Sequence, residues 1–113
     1  MKITIKGQDI EIRWTSRALM NYENLTQKSF TDVKNYNDVM ILFYSFILGS
    51  TKNTLQLSWN EFCDWVDEDY EKSLADHHQS VEIQFSSWYT NEIERQSNLS
   101  ADVAVEVNNE KKS

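Results

Sequence analysis

Three groups of residues have types and spacings that invite chemistry: His77-His78, Cys63, and the carboxylates between Glu61 and Glu71. Imidazoles that share a metal ion on a helix sit three or four residues apart, whereas adjacent positions point about 100° apart. Glu82, four residues after His78, is the one further ligand at helical spacing, and no cysteine joins it. The pair therefore reads as helix-boundary packing, and no metal site is expected. Cys63 as a nucleophile would need a positive neighbourhood to hold its thiolate. Instead Glu61, Asp64, Asp67, Glu68, Asp69 and Glu71 surround it, with no Lys or Arg between Ser58 and Glu71. Those carboxylates raise the thiol pKa, so Cys63 is expected as a small core residue.

The acidic run has no companion nucleophile for acid–base work. Read as a calcium loop ending on Glu61, it puts Ser50, Lys52 and Thr54 at early ligand positions and Leu55 where glycine is required. It reads best as a solvated helix face, with a basic partner as the secondary reading. Glycine-rich phosphate loops, Ser–His–Asp ordering and zinc spacing are all missing, and two Gly in the chain leave little for a nucleotide cradle. The expectation is a non-enzymatic protein with no cofactor.

The elements that must position these residues follow from composition and periodicity. With 113 residues, 40 % of them hydrophobic, the chain holds one core, and four Trp, five Tyr and five Phe make that core aromatic. Two Gly and no Pro favour helices over a turn-dense β fold. The formal net charge of −7 repels phosphate backbones and anionic membranes, so neither nucleic acid nor membrane is an expected partner. One cysteine allows no intrachain disulfide. The start Met1 to Lys6 is interrupted too early for a secretory signal, so the Asn24-Leu25-Thr26 and Asn98-Leu99-Ser100 acceptor patterns are chance matches. The apolar run from Val39 to Leu48 falls short of the roughly 20 residues of a membrane span. A soluble protein is expected.

Ile3 and Ile5, then Ile10, Ile12 and Trp14, alternate with polar residues on either side of Lys6-Gly7-Gln8-Asp9, the pattern of a β-hairpin over 2–14. Thr15 or Ser16 caps a helix of about 15–27 whose inner face is Trp14, Ala18, Tyr22 and Leu25. Phe30 anchors the connection, and Asn37 or Asp38 caps a fully apolar helix over 38–49. Gly49 is placed to end that helix in the left-handed region. Ser58-Trp59-Asn60-Glu61 is a capping box opening a helix over 58–68, with Phe62, Cys63, Trp65 and Val66 inward. A long helix over 70–96, or one continuous with the short helix before it, carries the stripe Leu74, Val81, Phe85 and Trp88. Aromatics vanish after Ser97, so 98–113 reads as a mobile tail, with a latent strand through the alternating Val103, Val105 and Val107 as the alternative. The expected fold class is mainly α with a small N-terminal β-hairpin: one compact domain over 1–97, about four helices, a long C-terminal helix and the tail.

The order of these segments carries a resemblance. A charged hairpin runs into Trp14-Thr15-Ser16-Arg17-Ala18-Leu19, then Tyr22-Glu23 and Leu25-Thr26-Gln27-Lys28-Ser29-Phe30. The apolar helix with Leu42, Phe43, Tyr44 and Leu48 follows, then Leu55-Gln56-Leu57-Ser58-Trp59-Asn60-Glu61-Phe62 and the acidic Asp67-Glu68-Asp69. Over residues 2–69 this resembles the tail assembly chaperones of long-tailed bacteriophages and prophages. Gln27 departs from the glycine usual after the first helix, and 70–113 match nothing specific. The resemblance implies a protein of the bacterial host's cytoplasm that binds the tape-measure protein, keeps it soluble, and yields it to the major tail protein. Self-association is compatible with that role. Trp59, Trp65 and Trp88 are the candidate partner-binding residues, with core burial the favoured fate of each because large rings are usually covered. The alternative reading is an acidic charge mimic that occupies a basic nucleic-acid site on a host protein.

Overall fold

The computed structural model describes the backbone of residues 1–112 and the side chains of residues 1–98. It is mainly helical behind an N-terminal antiparallel hairpin, as the patterning predicts. Strands β1 (Lys2–Ile5) and β2 (Gln8–Glu11) pair Ile3 with Ile10 and Ile5 with Gln8. The turn is shorter than the four polar residues suggested. Lys6 and Gly7 alone make it, both at positive φ (53° and 71°), as a two-residue turn matched to strand twist demands. Gln8 and Asp9 join the ladder. Ile3, Ile5, Ile10 and Ile12 are buried beneath it.

Helix α1 (Ser16–Thr26) is capped by Thr15, whose Oγ1 accepts the Ala18 amide at 3.1 Å. Its last turn closes through Gln27, a non-glycine residue held at φ 58° with its N–H donating to the Glu23 carbonyl. Ala18 and Tyr22 face the core, but Leu25, expected on the same face, is 54 % exposed. After a short 3-10 turn over Phe30–Asp32, helix α2 (Tyr36–Ser50) begins two residues earlier than expected. Its cap is Asn35, whose side chain accepts the Asp38 amide at 2.8 Å. Asp38 is buried instead, and takes a salt bridge from Lys28 at 2.8 Å.

Gly49 does not end α2 in a left-handed conformation; it is helical, and Lys52 and Asn53 carry the positive φ angles after the helix. Its missing side chain serves packing. A Cβ at Gly49 would lie 2.6 Å from the Ala18 backbone nitrogen and 2.8 Å from its Cα. Helices α1 and α2 cross there backbone to backbone.

Helix α3 opens with the expected capping box: Ser58 N–H donates to Glu61 Oε1 at 2.9 Å, and Glu61 N–H to Ser58 Oγ at 3.1 Å. It then runs without interruption from Trp59 to Asp76, so the expected boundary near 69 does not exist. The break falls at His77, left-handed at φ 57°, where the His77 and His78 amides both return to the Ser73 carbonyl. Helix α4 (Val81–Lys112) follows. The fold requires this turn because Phe62 on α3 and Phe85 on α4 both pack on Phe43 of α2, at 5.4 and 4.5 Å between ring centres. One straight helix would carry one of them away. Leu74, expected in the inner stripe, is 61 % exposed, whereas Val81 and Phe85 are buried and Trp88 half-buried. Of the tail expected over 98–113, residues 99–113, with Val103, Val105 and Val107, lie outside the described side chains.

Among the described residues no helix is long and apolar enough to cross a membrane.

Candidate functional site

Helix α2 sits at the centre with α1, α3 and α4 around it, and its N-terminal half leaves one side uncovered. Three depressions adjoin there. The first, about 370 Å3, lies between Tyr36, Val39 and Met40 of α2 and Glu82, Ile83, Ser86 and Ser87 of α4. The second, about 320 Å3, shares Tyr36 and Met40 and adds Asn37 with Trp59, Cys63, Val66 and Asp67 of α3. The third, about 370 Å3, shares Asn37 and Trp59 and adds Leu25, Ile41 and Tyr44. Their shared walls make one apolar groove across α2, from Leu25 on α1 to Ile83 on α4. Large apolar side chains stand open to solvent along it: Tyr36 at 65 %, Leu25 at 54 %, Ile83 at 50 % and Trp59 at 36 %. Single exposed apolar residues are ordinary, whereas these four gather along one depression.

The groove's polar groups are few. The Tyr36 hydroxyl donates to the Glu82 carboxylate, tying the start of α2 to the first turn of α4. Loss of water at its hydroxyl end first, then the bond to Glu82, pushes the Tyr36 phenol up to about 12, while most of the ring stays open. The Cys63 thiol is also pushed up, by burial and then by Asp67 and Asp64. It is a half-buried wall residue of the groove, in its protonated form at neutral pH.

Of the three tryptophans singled out from sequence, only Trp59 reaches the groove, edge-on to Tyr44 at 5.5 Å. Trp65 turns toward the hairpin, its indole N–H donating to the Thr4 carbonyl at 2.9 Å, with Phe43 and Phe62 beside it. Trp88 packs edge-on to Phe46 at 5.4 Å and next to Phe85. Leu25, Tyr36 and Ile83 escaped sequence reasoning for three reasons. Leu25 matched a core stripe, and Tyr36 sat in a polar stretch. Ile83 fell between Val81 and Phe85. For Tyr36 and Ile83 the available signal was a large apolar residue off the inward stripe, and Leu25 carried none.

The histidines are exposed in the α3–α4 turn, where His78 Nδ1 lies 2.9 Å from the Gln79 carbonyl. Among the described residues no group of His, Cys, Asp and Glu could hold a metal ion. Part of the acidic run is taken up by the fold. Glu61 completes the capping box and pairs with Lys6 at 2.9 Å, and these contacts hold its carboxyl down to about 2. Asp69 accepts the Val81 amide at 2.6 Å, capping α4 from the neighbouring helix. Asp64, Glu68 and Glu71 remain exposed. No family model, curated protein or solved structure matches this chain.

Proposed function

We propose that this chain is a tail assembly chaperone of a long-tailed phage or prophage. It shields apolar segments of the tape-measure protein in the host cytoplasm until the major tail protein displaces it. The observation that carries this reading is the groove, along which Leu25, Tyr36, Trp59 and Ile83 stand open to solvent. The order of segments over residues 2–69 supplies the identity of that partner through the resemblance. A long amphipathic chain aggregates through apolar patches, and an acidic domain laid over them keeps the complex dispersed. Weak contacts repeated along such a filament hold through avidity and still release.

Co-expression with the tape-measure protein encoded nearby tests this. The chaperone is expected to keep it in the soluble fraction in low and high salt, because apolar contact survives screening. The double variant Trp59→Ala, Ile83→Ser should lose that effect while remaining folded. A tape-measure protein that stays insoluble, or that does not co-purify, removes the reading.

A further inference from the structure

The groove is charged on one sign only. Asp67 from α3 and Glu82 from α4 stand on its walls, and among the described residues no Lys or Arg lines any of its three parts. Glu82 accepts the Tyr36 hydroxyl, which holds its carboxylate at the edge of the apolar floor. Grooves of this kind read helices by an apolar stripe at i, i+3, i+4 and i+7. Fixed charge beside the stripe selects the opposite sign on the ligand and penalises the same sign. A second copy is a poor occupant, since a chain of formal charge −7 would set acidic walls against each other.

We infer that the groove takes an amphipathic helix whose apolar stripe is bordered by Lys or Arg, and discriminates against the same stripe bordered by Glu or Asp. The inference rests on the protein-binding reading above and names the class of segment within the partner that the groove selects.

Two synthetic helices with one Leu stripe, flanked by Lys or by Glu, are titrated calorimetrically against the full chain. The Lys-flanked helix should bind about 10-fold more tightly at low ionic strength, and the ratio should shrink in high salt. In the double variant Asp67→Asn, Glu82→Gln, which keeps side-chain size and an oxygen for Tyr36, the ratio should fall to within about 2-fold. Ile83→Ser should weaken both helices. Equal affinities in the parent chain, or a preference that survives D67N/E82Q, overturns the inference. Dimerisation abolished by Ile83→Ser overturns it as well, by giving the groove to a second copy. Solubilisation of the tape-measure protein without charge discrimination removes this inference and leaves the proposed function. Discrimination without solubilisation supports the basic-helix groove and removes the tape-measure assignment.

Discussion

Replacing Gly49 by Ala probes the crossing on which the groove's framework depends. In an exposed helix interior this change stabilises by about 1 kcal/mol, because Gly is the poorer helix former. Here the added methyl would meet Ala18 N at 2.6 Å, and Ala18 Cα and Cβ at 2.8 Å. Carbon atoms rest about 3.5–4.0 Å apart, so the shortfall is about 1 Å. Two of the three atoms are backbone, and no rotamer change removes them. Helices α1 and α2 must separate, opening the packing around Ala18 and Tyr22, both 0 % exposed. Overpacking of this kind costs about 1–3 kcal/mol, and the rigid obstacle places Gly49→Ala toward the upper end. After the propensity gain, a net loss of about 1–2 kcal/mol remains, which lowers the thermal midpoint by roughly 5–15 °C. Far-UV circular dichroism during thermal and urea unfolding measures it. Adding Ala18→Gly should recover only part of the loss, since it removes the Cβ contact and leaves the backbone ones. A Gly49→Ala chain that melts at or above the parent would refute the close crossing.

Gln27→Gly should act in the opposite direction. It relieves a left-handed strain of about 1–2 kcal/mol against an unfolded-chain entropy cost of about 0.4–1 kcal/mol, so urea unfolding should show a gain of roughly 0.5–1 kcal/mol. Asp69→Ala removes the cap of α4 and should cost about 1 kcal/mol, with faster amide exchange at Val81 than in the parent. Glu61 gives an acid limb. Its folded carboxyl lies near 2, below the ordinary 4.5, so its stabilisation is complete above 4.5 and lost as pH falls toward 2. Glu61→Gln should flatten that limb in urea midpoints taken across the same range. Tyr89 gives an alkaline one: burial raises its phenol to about 12, so the stabilisation present below 10 disappears as pH climbs through 12. Ultraviolet titration should show Tyr89 ionising late together with Tyr36, and Tyr89→Phe should shrink that late step without abolishing it.

Local chemistry was legible in the linear order of residues. The hairpin follows from alternating isoleucines, the α3 start from Ser58 and Glu61, and α2 as the core helix from its unbroken apolar run. Each depends on neighbours within a few positions, so the code is contained in the segment itself. The setting of Cys63 was legible in part: Asp67 and Asp64, which act on its thiol, are close in sequence, while burial, which acts first, is set by packing.

What required the tertiary structure depends on distant partners. Nothing in Gly49 distinguishes a helix terminator from a helix crossing until Ala18, thirty-one positions away in sequence, lies against it. The turn at His77 has no glycine or proline to announce it; it forms because Phe62 and Phe85 must both reach Phe43. The same holds for the groove. Leu25, Tyr36, Trp59 and Ile83 come from four different helices, and nothing along any one helix shows that the four gather on one face. Burial is decided by what packs against a side chain, and periodicity names a helix's inward face without saying how far its neighbours extend to cover it.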